Sequence, residues 1–280
     1  MRVVISTILI FFIVISSTMG MKIPQVNLNV SHDEYAITFL PLKRGEVAML
    51  HLGSGENYLI NTGPMAEYDQ LLYYLKQINI STFSGIIITE DREYHPDSIL
   101  KLNKIFSINN VIMASSLAKS IKQNDGIKVT PILENQSFSL SNELSIEVIH
   151  EGNEVREGLD FSITFFHHRF LWLSSQSLHS ENVLLKKKLG SVNIVKIPIH
   201  SKTESISNRL LMHIDPQTAV LYRSKEKLLN GDTLEAINEA WIDLYLTGQH
   251  GLISIKFNQS NYEVITFDQE DVFNKETFSN

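Results

Sequence analysis

The chain has 280 residues and contains no cysteine. Disulfide bonds, thiolate metal sites and cysteine nucleophiles are therefore excluded, and so is the cysteine-linked lipid of a lipoprotein. Proteins without disulfides occur on both sides of a membrane, so this absence leaves the redox compartment open.

An excess of positive charge is also lacking. The chain carries 24 Lys and Arg against 31 Asp and Glu, which gives a formal net charge of -7. Affinity for nucleic acids comes largely from neutralising phosphates, so this balance does not favour a nucleic acid as partner. The densest basic run, Lys186 to Lys188, is typical of a solvated helix face.

Two common catalytic signatures are missing as well. The chain has no Gly-x-Ser-x-Gly elbow and no Walker-type phosphate loop, so neither serine-triad hydrolysis nor P-loop nucleotide binding is supported. The adjacent pair His167 and His168 falls in a predicted hairpin turn. Neighbouring strand residues point to opposite faces, so at most one of the two could face a given site.

The N-terminus carries a long apolar run, Val3 to Ile15, preceded by Arg2 and followed by small residues. This is the order of a secretory signal peptide, and if it is not cleaved, the run from Val3 to Met21 is about long enough to span a bilayer as a single anchor. We therefore predict a signal peptide or membrane anchor at 1–20 and a linker at 21–35. The protein is then secreted or held outside the cytoplasmic membrane, and a membrane protein as partner remains open.

The rest of the chain alternates β-rich runs with amphipathic helical segments, which predicts a layered α/β fold. Gly85 to Thr89 is an apolar strand of the kind that is buried on both faces, and Pro96 suits the first turn of a following helix. The loop from Glu90 to His95 thus follows the carboxyl end of a core strand, where ligand sites of α/β sheets are common.

Two early segments, Ile-Thr-Phe-Leu-Pro-Leu-Lys-Arg-Gly-Glu (Ile37 to Glu46) and Tyr-Leu-Ile-Asn-Thr-Gly (Tyr58 to Gly63), resemble the metallo-β-lactamase superfamily and, within it, the extracytoplasmic domain of ComEC-type competence (DNA-uptake) proteins. Ile37 to Glu46 is similar to the family's Phe-Leu-Asp-Val-Gly-Gln-Gly-Asp entry segment, and Tyr58 to Gly63 resembles its Leu-Ile-Asp-Thr-Gly, with Asn61 in place of aspartate. The resemblance implies a four-layer αββα sandwich over residues 36–268, followed by a polar tail at 269–280.

The same resemblance implies where metal ligands would lie. Active relatives carry Ser-His-x-His-x-Asp-His, and this chain reads Thr-Glu-Asp-Arg-Glu-Tyr-His at 89–95, which keeps only His95. Gln176 replaces the aspartate that bridges the metals, and His200 is the one histidine kept of a downstream pair. An arginine within a cation site is unfavourable, and zinc needs three or four well-placed ligands.

We therefore predict a non-catalytic protein that needs no metal or other cofactor and binds a ligand or partner through a vestigial cleft. Two alternatives stay open. One is a reduced zinc or manganese site built from His95, His200, Glu90 and Asp91; the other is a metal-dependent hydrolase, a nuclease or phosphodiesterase linked to DNA uptake. The predicted positions of the vestigial cleft are Asn61, Glu90, Arg92, Tyr94, His95, Gln176 and His200.

Overall fold

The computed structural model describes residues 26–108, 110–120, 127–152, 154, 156–198, 206–222 and 231–268. The predicted leader, His200 and the predicted polar tail lie outside these ranges. Fifteen strands are present in the described part: β1 (Tyr35–Leu40), β2 (Val47–Leu52), β3 (Asn57–Ile60), β4 (Gly85–Ile88), β5 (Asn110–Ala114), β6 (Lys128–Ile132), β7 (Ser137–Ser141), β8 (Leu144–His150), β9 (Asp160–Phe165), β10 (His168–Trp172), β11 (Ile194–Ile197), β12 (Thr218–Leu221), β13 (Asp243–Leu246), β14 (Leu252–Phe257) and β15 (Tyr262–Phe267).

Seven α-helices connect or flank these strands in the same described ranges. The longest, α2, begins at Pro96, whose fixed φ suits the first helical turn, and ends at Phe106 before Ser107 in the left-handed conformation. The helices are α1 (Tyr68–Gln77), α2 (Pro96–Phe106), α3 (Ser115–Ser120), α4 (Leu178–Leu184), α5 (Asn208–Ile214), α6 (Gly231–Glu239) and α7 (Thr247–His250).

The strands form two sheets of similar design. The first sheet has the order β15-β14-β1-β2-β3-β4-β5-β6 and the second has the order β13-β12-β11-β10-β9-β8-β7. Strands β3 to β6 are mutually parallel in the first sheet, as are β10 to β13 in the second, and the other pairings are antiparallel. The polar loops that follow the parallel strands of each sheet are therefore the natural place for a site.

Three hydrophobic cores separate four layers. The central core lies between the sheets and contains the stacked rings of Phe39, Phe161 and Trp172. A second core, with Leu71 of α1, covers the outer face of the first sheet, and a third, with Leu210 of α5, covers that of the second. Because alternate residues of a strand point to opposite faces, each sheet can supply two of these cores at once. The predicted four-layer αββα sandwich is confirmed.

The strand predicted at Gly85 to Thr89 is β4, which ends at Ile88, and the helix predicted after it is α2, which begins at Pro96. The prediction that His167 and His168 both lie in a turn was wrong for one of them, since His168 is the first residue of β10 and pairs with Phe165. Strands β7 and β15 were not predicted. No described helix is long and apolar enough to cross a membrane.

Candidate functional site

The cleft predicted from the sequence lies where β3 and β4 of the first sheet end. Asn61 follows β3 with φ 60°, a left-handed conformation that asparagine tolerates better than most residues. Its amide donates to the Glu46 carbonyl at 2.9 Å and to the Thr89 hydroxyl at 3.1 Å, and its oxygen accepts from the Thr89 amide at 2.9 Å. Asn61 therefore links three segments, and these bonds use both the nitrogen and the oxygen of its side-chain amide.

Lys196 supplies a buried cation to this cleft. It lies on β11 of the second sheet and shares a face with Ile194, so the alternation of the strand points it into the layer between the sheets. The side chain is fully buried, and its ammonium forms an ion pair with Glu46, which directly precedes β2 of the first sheet. The ammonium also donates to the Leu173 carbonyl at 2.9 Å.

Two aromatic rings complete the surroundings of this ammonium. Lys196 Nζ lies 4.8 Å from the centroid of the Trp172 ring and 5.9 Å from that of Tyr222. Such cation–π contacts strengthen when the cation is desolvated, as it is here. The ion pair, the carbonyl and the rings thus hold one positive charge in a fixed place between the two sheets.

Two more buried acids, Glu90 and Glu93, lie within electrostatic range of the Glu46 carboxylate. Burial raises the pKa of Glu90 to about 7, opposed by the guanidinium of Arg92, whose Nε lies 2.6 Å from a Glu90 carboxylate oxygen. Burial also raises the pKa of Glu93 to about 8, and the negative charges of Glu46 and Glu90 act in the same direction. At neutral pH Glu93 is consequently mostly protonated.

The remaining predicted cleft residues are Tyr94, His95, Gln176 and His200. Tyr94 and His95 are half-buried, and burial lowers the pKa of the His95 imidazole. Gln176 donates through its side chain to the Pro198 carbonyl at 2.7 Å, and its backbone amide donates to Arg156. His200 lies outside the described residues, so the predicted rearranged site with His95 stays a prediction.

The described cleft residues do not fit a divalent metal ion. The Lys196 ammonium and the Arg92 guanidinium are already paired with the Glu46 and Glu90 carboxylates, and the uncharged amide of Gln176 binds a backbone carbonyl. Repulsion from two fixed positive charges opposes a further cation at short range. Asp91, the other predicted acid, is exposed.

A second cluster, which the sequence did not predict, lies beside the cleft. Among the described residues, one group of His, Asp or Glu side chains brings three ligand atoms within 4.8 Å of one another, and it consists of His150, Glu157 and His179. His150 ends β8, Glu157 precedes β9, and His179 lies in the first turn of α4. Two imidazoles and a carboxylate are a known ligand set for zinc. This cluster argues against the prediction that the protein needs no metal.

Sequence reasoning missed Lys196, Glu93 and the second cluster. Lysine in the strand Ile-Val-Lys-Ile was an available signal, because charged residues are almost never fully buried unless they are paired. Its partner was not evident, since Glu46 lies 150 residues earlier in the chain. The three members of the second cluster come together only when α4 packs against the end of β8.

Comparisons with known proteins address the fold. Neither protein-family models nor curated proteins match this chain. Solved structures do match: the metallo-beta-lactamase fold protein YhfI from Bacillus subtilis is 11% identical, with a TM-score of 0.57, over 79% of this chain and 99% of that one. Zinc-bound PqqB from Methylobacterium extorquens is 10% identical, with a TM-score of 0.54, over 75% of this chain and 97% of that one.

A third similar structure is the long form of RNase Z from yeast, which is 10% identical with a TM-score of 0.54 over 85% of this chain and 50% of that one. At such low identity, similarity shows a shared fold and leaves activity open. This chain has the metallo-β-lactamase fold.

Proposed function

We propose that this protein is a non-catalytic member of the metallo-β-lactamase superfamily that binds a ligand or protein partner through the cleft around Glu90 and His95. The observation that carries the proposal is the buried ion pair between Lys196 and Glu46. A metal-activated water needs a divalent cation with an open coordination position. Here the fixed charge of the cleft is an ammonium, which has no such position to offer.

The proposal extends to location and kinship. We place the folded part outside the cytoplasmic membrane because residues 1–20 have the order of a signal peptide or anchor. We also propose kinship with ComEC-type extracytoplasmic domains, which rests on the segments Ile37 to Glu46 and Tyr58 to Gly63. A reporter fused after residue 268 should be exported, and a cytoplasmic reporter would contradict the placement.

An activity assay tests the central part of this proposal. The full chain, supplied with excess zinc or manganese, is expected to leave nitrocefin, bis-p-nitrophenyl phosphate and linear double-stranded DNA uncleaved, because its cleft cannot activate water. Metal-dependent cleavage that disappears in H95A or H200A would overturn the proposal. Exposed His167 offers a matched control, since H167A changes a histidine outside the cleft.

Binding through the cleft has a test of its own. A photo-crosslinking amino acid placed at half-buried Tyr94 should capture a defined partner in intact cells, whereas the same amino acid at exposed Ser260 should not. Equal capture from both positions would show that the cleft is not the binding surface. The R92E variant, which reverses the exposed charge at the cleft mouth, should weaken capture from position 94.

A second candidate function is favoured by one observation. His150, Glu157 and His179 supply three protein ligands, the number found in catalytic zinc sites that keep a position for water. A hydrolase that uses this cluster would cleave phosphodiesters with added zinc and lose activity in H179A. Activity lost in H179A and retained in H95A would favour this second candidate over the first.

A further inference from the structure

We propose that His150, Glu157 and His179 bind one zinc-class divalent cation that fastens the segment before β9 to the wall of the cleft. None of the three residues falls on a position that the family resemblance assigns to a metal ligand. The inference goes beyond the first proposed function, which concerns the neighbouring cleft. It uses the same residues as the second candidate function but claims a structural cation and no catalysis, so it depends on neither function being correct.

The first support is the distance between the ligand atoms. His150 Nε2 lies 3.1 Å from Glu157 Oε2, and each of the three residues offers an atom within 4.8 Å of the other two. Two ligands that each lie about 2.1 Å from a tetrahedral zinc ion are roughly 3.4 Å apart. The buried pair is already near this spacing. His179 is exposed in the first turn of α4, so its ring has room to complete the set.

The second support is the group behind His150. This ring is buried, and its Nδ1 lies 3.5 Å from a carboxylate oxygen of Glu134, whose other oxygen accepts from Lys187 at 3.0 Å. Metal-binding histidines usually donate their second N–H to a carboxylate, which fixes the ring and raises its basicity. Glu134 lies on the side of the ring where such a carboxylate is found, and the Nε2 atom of His150 on the opposite side faces Glu157.

Glu157 is fixed in a similar way. Its side chain is fully buried; one oxygen accepts from the Ser177 hydroxyl, and the other accepts from the Glu154 amide at 3.1 Å. Ser177 is also the N-cap residue of α4, the helix that carries His179. The end of β8, the segment before β9 and the first turn of α4 therefore meet. The atoms that could bind a metal lie close together there.

A bound cation would stiffen the wall of the cleft. The Leu159 amide donates to the Thr89 carbonyl at 2.6 Å, and Gly158 exchanges hydrogen bonds with the Ser175 hydroxyl. Both residues follow Glu157 directly, so fixing Glu157 to His150 and His179 holds these contacts in place. Two imidazoles with one carboxylate favour zinc over calcium or magnesium, which prefer all-oxygen sites.

Calorimetric titration of the EDTA-treated full chain with zinc chloride tests the site. The expected result is one zinc ion per chain, with affinity at least tenfold weaker in H179A and unchanged in H167A. Because His179 and His167 are both exposed, neither change threatens folding. The E134Q variant should weaken zinc binding by 10- to 100-fold, as is usual for an outer carboxylate. Absence of stoichiometric zinc binding, or equal affinity in H179A, would overturn the proposal.

Hydrogen exchange separates the fastening role from binding alone. Zinc should slow amide exchange in the peptide that contains Leu159 in the wild-type chain and leave it unchanged in H179A. Zinc binding with no change in that peptide would refute the fastening role. None of these readouts is an activity, so their outcome is independent of whether the cleft is catalytic.

Discussion

Removing the buried Lys196 cation alone should lower the free energy of unfolding more than removing both Lys196 and its partner charge on Glu46. Lys196 is fully buried and Glu46 is nearly so, with 7% of its side chain exposed. Breaking a buried pair by deleting one partner leaves an uncompensated charge and costs about 3–5 kcal/mol. The substitution K196M keeps the stem beside Trp172 and Tyr222, so most of its cost should be electrostatic.

The double variant K196M/E46Q removes the pair without leaving a charge. Its cost should be about 1–3 kcal/mol, which is the price of leaving the Leu173 carbonyl without its donor. The single variants E46Q and K196M should each cost about 3–5 kcal/mol. The double variant should therefore fall short of their sum by at least about 3 kcal/mol, well outside the additivity of independent sites.

Urea unfolding followed by tryptophan fluorescence measures these differences, because Trp172 is buried beside the pair whereas Trp241 is already 91% exposed. Lys187 provides the control, since its pair with Glu134 is partly exposed and K187M should cost no more than about 1 kcal/mol. A cost below about 1 kcal/mol for K196M, or an additive double variant, would refute a buried ion pair at this position.

Two further predictions concern Glu93 and Asn61 of the cleft. The pKa of Glu93 in the folded protein is raised from 4.5 to about 8, so its contribution to stability is present at acidic pH and is lost as pH rises through about 8. The E93Q side chain stays neutral, so at pH 9 this variant should have a free energy of urea unfolding higher than that of the wild type by at most about 5 kcal/mol. The exposed control E143Q should show no such gain. An unchanged pH profile in E93Q would contradict the burial of this acid. Asn61→Ala should lower the free energy of unfolding by about 2–4 kcal/mol, because it removes three hydrogen bonds and leaves alanine at a positive φ. Thermal or urea unfolding measures this loss, and a loss below about 1 kcal/mol would show that Asn61 does not link the three segments.

The fold was predictable from local patterns. The sequence predicts strands at 47–52, 110–114 and 144–150, which are the bounds of β2, β5 and β8, because each is a run of apolar or alternating residues followed by small or polar residues. Strand β7 lies at the edge of its sheet, is polar and is only partly buried, so it lacks the hydrophobic contrast on which such predictions depend. Strand β15 is rich in aromatic and β-branched residues, a signal that was available and was not used.

The site was predictable in part. The loop after β4 contains Glu90, Arg92, Tyr94 and His95 of the predicted cleft, at the carboxyl end of a core strand, where the sequence indicated a site. The buried ion pair could not be deduced locally, because Lys196 and Glu46 meet only when the two sheets pack face to face. The same holds for His150 and His179, which are separated in sequence and come close in space only when α4 packs on β8.

Zinc-edge anomalous diffraction from crystals of the full chain soaked in zinc chloride measures the position of any bound cation directly. We expect a peak within coordination distance of His150, Glu157 and His179, and no peak among Glu46, Glu90 and Glu93, where Lys196 already provides the positive charge. A zinc peak among those three glutamates, with the Lys196 ammonium displaced, would contradict the central claim that this cleft has exchanged a metal ion for a lysine.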